Sequence, residues 1–365
     1  MTLHSVWWIA ALALGCSKSV GTGDKAGSGS APTTTAAVAT PPPVDAAAAP
    51  KYATAEAKLA RYNECWAAFN AGNYDIYTGC FAPDAVREQV DSVPKAVAQG
   101  TDKIREMAKG QRDAFPDLAI TPQLVIVSGN DIAAIIHVAG TNTGDVPGMK
   151  ASGKKLGMFE ADVATMNGDG KFTQDSLYVD QPTVFHQLGL LENDTSPKAS
   201  DAHLSAPIAL ISKSDATEMA NKALIDKNID AVNKRTQALI PAVVEDKVKL
   251  TYQGDKQKVE TKAAYTKWLK ETIGSTKDGF VDIKSTWTAG DWVVIADVFS
   301  GTPAHIAGGK GVEVKMIEAR VVQFFKVIHG KLVEQHIFMN QLKPAVQLGL
   351  VDVDQLMETL SKAAK

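Results

Sequence analysis

Gln187-Leu188-Gly189-Leu190 recurs as Gln347-Leu348-Gly349-Leu350, and each copy closes a strand-rich passage. Asp180-Gln181 stands seven residues before the first tetrapeptide, and Asn340-Gln341 stands seven before the second. Further upstream Gly129 and Gly140 bracket an apolar run at a spacing of eleven, as do Gly290 and Gly301. Chance supplies one tetrapeptide, but not three ordered landmarks in near-constant register, so the chain holds a duplicated domain. The period is 160 residues, from Gln187 to Gln347, which is the size of a domain and not of a solenoid unit.

Outward from the repeat, the 365 residues divide into five parts. Residues 1–15 read as a signal peptide, with an apolar run at 6–14 too short to span a membrane. Its end, Leu12-Ala13-Leu14-Gly15-Cys16, resembles a bacterial lipoprotein signal in which Cys16 becomes the lipidated first residue. An ordinary secretory signal is the alternative, and export is common to both. Ser17 after the cysteine favours the outer membrane, which places the protein in the bacterial cell envelope, facing the periplasm. Residues 16–50 are rich in Gly, Ser, Ala and Pro and cannot bury enough surface to offset their conformational entropy, so they read as a tether. Then come a first domain over 51–196, a linker over 197–214 and a second domain over 215–365.

A formal net charge of -3, with lysines dispersed among acidic residues, gives no electrostatic footprint for nucleic acid. Besides Cys16 there are Cys65 and Cys80, which outside the cytosol either form a disulfide or stay as two buried free thiols. His305, His329 and His336 lack the spacing of a metal cluster, and Asn167-Gly168-Asp169-Gly170 lacks the ligand series of a calcium loop. No cofactor and no metal is implied.

Leu59, Tyr62, Trp66 and Phe69 recur at helical spacing, predicting a helix over 55–70, with shorter helices over 74–81 and 101–114. Strands are predicted over 119–127, 131–139, 159–166 and 171–179, the last two joined by the Asn167–Gly170 turn. The second copy repeats the order, with helices over 217–228 and 261–272 and strands over 283–289, 292–300, 312–327 and 331–340. The fold class is α+β, a curved antiparallel sheet with helices on its concave side.

Gly100 before a helix, Phe115-Pro116-Asp117-Leu118, the strand ending Gly140-Thr141-Asn142-Thr143-Gly144, and Tyr178-Val179-Asp180 with Gln187-Leu188-Gly189 carry a resemblance. They look like the SnoaL-like polyketide cyclases of the nuclear transport factor 2-like superfamily. The resemblance implies two tandem cone-shaped α+β barrels, each with one open pocket. It also implies that Asp180 acts as general acid/base in a cofactor-free aldol closure, since a carboxyl in an apolar pocket titrates near neutrality. Asn142 stands where the family often has histidine, and the strand over 159–166 lacks the assisting histidine. Asn340 replaces the aspartate in the second copy, which is therefore expected to be a degenerate partner.

His137, on the face of Ile135 and Ala139, is a weak candidate for a substitute base beside a core or rim role. Trp268, Trp287, Trp292, Phe324, Phe325 and Phe338 either line a pocket for an apolar ligand or form core. The strand carrying Val321, Gln323 and Phe325 against Val322, Phe324 and Lys326 is apolar on much of both faces, so its sheet is expected to pack on helices inside and on another surface outside. Related domains dimerise through that outer surface, and the two copies are expected to pair within the chain or in a homodimer. Two functions follow: binding of a small apolar molecule or an envelope protein, or cyclase/isomerase chemistry at Asp180.

Overall fold

In a computed structural model describing residues 51–145, 150–190, 196–203, 207–256, 258–304 and 316–363, the spacing of Tyr62, Trp66 and Phe69 becomes the buried face of helix α1 (Ala55–Asn70). The signal segment, Cys16 and the tether lie outside the described residues. Thr54 starts α1 by accepting a hydrogen bond from Ala57 N. Helix α2 (Tyr74–Thr78) is shorter than its expected span, because Gly79 ends it and Phe81 already opens β1 (Phe81–Gln89). Strand β2 (Ala96–Gln99) and helix α3 (Thr101–Ala114) follow. The repeat's main sheet is β3 (Ala119–Ser128), β4 (Asp131–Thr141), β5 (Lys155–Met166) and β6 (Phe172–Tyr178), closed by helix α4 (Gln181–Gln187).

Residues 208–211, within the expected linker, form β7 (Ile208–Ile211) and pair in parallel with β3 from Leu124↔Ile208 to Val127↔Ile211. Four apolar residues in a row thereby cover what would be an open sheet edge. The first sheet has the order β2-β1-β6-β5-β4-β3-β7.

The second copy runs α5 (Ala216–Asn233), β8 (Val244–Tyr252), α6 (Lys262–Gly274), β9 (Phe280–Ala289), β10 (Trp292–Gly301), β11 (Ile317–Ile328), β12 (Lys331–Phe338), α7 (Leu342–Gln347) and α8 (Val353–Ala363). Its sheet order is β8-β12-β11-β10-β9, with β8 parallel to β12 and the other pairings antiparallel. Residues 312–315 of the strand expected from 312 lie outside the described residues.

Strand alternation splits each sheet between two cores. Ile132, Ala134 and Ile136 of β4 face the helices of the first cone, and Val293, Ile295, Val321 and Phe325 face those of the second. The alternate residues, among them Leu124, Ile126, Ile135, Trp292, Val294, Val322 and Phe324, join in a third core between the sheets. Burying both faces explains why these strands read as near-continuous apolar runs. Polar contacts border this core. Trp287 Nε1 donates to Asp131 Oδ2 (3.0 Å), and the Arg320 guanidinium donates to both oxygens of Glu88 (2.8 and 2.9 Å). The second repeat's end also crosses over, since Leu342, Val351 and Leu356 are buried in the first cone's core.

Candidate functional site

The repeated landmarks are joints of the scaffold. Gln187 Oε1 accepts from Gly157 N and Gln347 Oε1 from Glu318 N, each bond 3.0 Å, so each tetrapeptide glutamine ties its helix to a strand. Gly189 and Gly349 hold φ of 72° and 66°, a region that favours glycine. Asp117 accepts from the backbone and hydroxyl of Thr141, as Asp278 does from Thr302, which fixes the Gly-Thr passages.

Asp180 and Asn340 meet at the junction of the repeats. Gln341 N donates to Asp180 Oδ1 (3.0 Å), and reciprocally Gln181 N donates to Asn340 Oδ1 (3.3 Å). Asp180 Oδ2 caps α4, accepting from Thr183 N (3.2 Å) and Thr183 Oγ1 (2.6 Å). Burial pushes this carboxyl up to about 6 against those bonds. Both oxygens are engaged, and Asp180 is in the wall of neither cavity described below. His137 lies on the outer face of β4, where its Nε2–H donates to Ser200 O (2.8 Å) and its ring packs on Phe159 and His203. Burial lowers its pKa, which favours the neutral ring.

The first cone is filled. Cys65 and Cys80 are joined by a disulfide. Arg87, 1 % exposed, donates to Asp175 Oδ2 and lies over the rings of Trp66 and Tyr77. Tyr62 OH donates to Asp162 Oδ2 at 2.7 Å. Burial, then the neighbouring Asp175 charge, raises the Asp162 carboxyl far above the usual range. Among the described residues a cavity of about 30 Å³ lies beside Glu160, room for about one water. Burial pushes the Glu160 carboxyl up to about 8.

The second cone, expected to be the degenerate one, is open. A cavity of about 370 Å³ lies between α5, α6 and the concave face of the second sheet. Its wall is mostly apolar and includes Trp268, Leu269, Phe299, Val321, Phe325 and Ile337. Of the six aromatics noted in the sequence, Trp268 and Phe325 line this cavity, whereas Trp287, Trp292, Phe324 and Phe338 belong to the core between the sheets.

One line of polar groups crosses the cavity wall. Tyr265 OH donates to Gln335 Oε1 (2.8 Å), Gln335 Nε2 to Gln323 Oε1 (3.0 Å), and Gln323 Nε2 to Asp297 Oδ2 (2.8 Å). Each donor fixes the orientation of the next amide, and the line ends on a carboxylate whose Oδ1 has no partner among the described residues. Asp297 is 2 % exposed, and burial, with a smaller contribution from Asp282, pushes its carboxyl up to about 7 despite the Gln323 bond. Asp297 was not among the residues singled out from the sequence. Its signal is an acid inside the apolar run Val293-Val294-Ile295-Ala296-Asp297-Val298-Phe299, in phase with the inward-facing Val293 and Ile295.

The curated proteins contain no match to the chain. Among solved structures, AclR from Streptomyces galilaeus is similar at 19% identity and a TM-score of 0.32, over 37% of this chain and 99% of its own. IdmH from Streptomyces antibioticus is similar at 16% identity and a TM-score of 0.31, over 35% of this chain and 98% of its own. The SnoaL-like polyketide cyclase family matches twice, over residues 57–188 and 222–348, and the chain belongs to that family as a tandem of two such domains.

Proposed function

We propose that the protein binds a small, mostly apolar molecule in the cavity of its second domain. The observation that carries this reading is the mostly apolar volume of about 370 Å³ crossed by the polar line on its wall, within the usual range of small-molecule sites. The first domain then serves as a support, its cone occupied by Arg87, Asp175 and the surrounding rings. An acid/base role for Asp180 has less support, because that carboxylate is not itself in the wall of the second cavity and bonds to it through Gln341, one of the wall residues.

Ligand-observed NMR with naphthol as an apolar probe tests the proposal. Saturable binding is expected, and Val321→Trp, which fills the cavity from β11, should abolish it while the circular dichroism spectrum is kept. Equal binding by the filled variant would rule the cavity out. The same proposal places the protein at the bacterial cell envelope, exported and lipid-anchored through Cys16 on the tether of residues 16–50. Support for that setting is the short apolar run and the Leu14-Gly15-Cys16 ending. Incorporation of labelled palmitate, lost in Cys16→Ser, is the expected result; equal labelling of the variant would exclude it.

A further inference from the structure

The cavity wall has an electrostatic asymmetry that narrows the class of ligand, and the argument rests on the binding reading just given. Asp297 is the one formally charged side chain among the described residues of the wall, which include no lysine, arginine or histidine. Buried carboxylates are ordinarily paired with a cation or saturated by donors. Here Gln323 supplies one donor to Oδ2, and the buried Oδ1 has no partner among the described residues. Gln323 and Gln335 are already committed to the line of hydrogen bonds that begins at Tyr265. A second acid, Asp282, acts on the Asp297 carboxyl, which adds to the need for positive charge. The same cavity presents the rings of Tyr265, Trp268 and Phe325. Aromatic faces favour a cation at a desolvated site.

We propose that the ligand is a lipophilic amine, bound as its ammonium ion with an N–H donating to the Asp297 carboxylate and its hydrocarbon body against Trp268, Phe325 and Ile337. A neutral alcohol can donate to the same carboxylate but brings no charge, and a carboxylate is repelled by it. The wall therefore ranks head groups in the order ammonium, hydroxyl, carboxylate on any hydrocarbon body that fits.

The test is isothermal titration of the full chain at about pH 8, where both an alkyl ammonium and the cavity carboxylate are charged. Two body shapes are used, each with three heads: adamantylamine, adamantanol and adamantane carboxylate, then octylamine, octanol and octanoate. The expected result is an amine affinity roughly tenfold or more above that of the matching alcohol, with the carboxylate weakest. Asp297→Asn should remove that preference while leaving the alcohol's affinity within about threefold, which also shows that the variant cavity is intact. The wild-type ranking stands without the variant should Asp297→Asn fail to fold. Alcohol binding equal to or tighter than amine binding overturns the amine assignment and leaves the cavity as a binding site. Failure of all six probes to bind overturns both readings.

Discussion

Asp297→Asn should make the protein's stability less sensitive to pH, by an amount that follows from the carboxyl's surroundings. The folded state pushes this group up to about 7 from the 3.8 of an unburied aspartate. The folded chain therefore holds the proton more tightly than the unfolded chain. The resulting stabilisation is complete below about pH 4 and is lost as pH rises through about 7. At about 1.36 kcal/mol per unit, a shift of roughly three units corresponds to about 4 kcal/mol lost by the wild type between about pH 4 and pH 8. Asparagine keeps the shape and the bond from Gln323 but does not titrate. Glu160 and Asp180, which are raised as well, are present in both proteins and cancel in the difference. Urea unfolding of the chain from Lys51 onward, followed by tryptophan fluorescence at several pH values, gives the stability difference between wild type and variant. That difference should move toward the variant by up to about 4 kcal/mol on going from about pH 4 to pH 8. A difference that stays level within about 1 kcal/mol would show that Asp297 is solvated or paired in solution, and would refute the account of the cavity wall.

Three other outcomes follow from the packing. Asp180→Ala removes the cap of α4 and leaves the Gln341 N–H unpaired, so it should cost about 2–4 kcal/mol in thermal unfolding while naphthol binding persists; loss of binding with an unchanged melting curve would count against a joint role. Arg87→Met strands the Asp175 carboxylate in the first core and should cost about 3–5 kcal/mol, much of it recovered in Arg87→Met with Asp175→Leu; a double variant no more stable than the single one would mean the ion pair is not what fills the cone. Removing the Cys65–Cys80 bond, which spans a sequence separation of 15, should cost about 3 kcal/mol, read as a lower melting temperature in reductant; free thiols in the oxidised protein would contradict the pairing.

The duplication, the α+β class and the two-faced sheets were legible because each rests on short-range pattern. The alternation of Val321, Gln323 and Phe325 with Val322 and Phe324 sends one set to the second cone and the other to the core between sheets. Which cone stays open was not legible, because it depends on side chains brought together from distant segments. Arg87 and Asp175 lie 88 residues apart, and the polar line joins Tyr265 to Gln335 across 70. The family motif drew attention to Asp180 and Asn340, yet both are explained by the reciprocal bonds they make with Gln341 and Gln181. Loss of the acid in the second copy therefore says little about the pocket above it. The expected linker misled for a local reason: Ile208-Ala209-Leu210-Ile211 is too short to stand out as a strand until β3 offers an edge.

Duplication explains how one copy can keep an unfilled cavity. An apolar hollow forgoes packing that a filled core would have, so a lone domain with this cavity carries a penalty in stability. Here the second sheet buries its convex face against the first, through Trp292, Val294, Val322 and Phe324, and the chain's end seals into the first core at Val351 and Leu356. The first copy, cross-linked by Cys65–Cys80 and packed around Arg87, thus supplies the rigidity, and the second is free to retain volume. The assignment of roles runs opposite to the one the aspartate motif suggests. It follows from what fills each cone: in the first the buried Arg87–Asp175 pair with its surrounding rings, in the second a cavity of about 370 Å³.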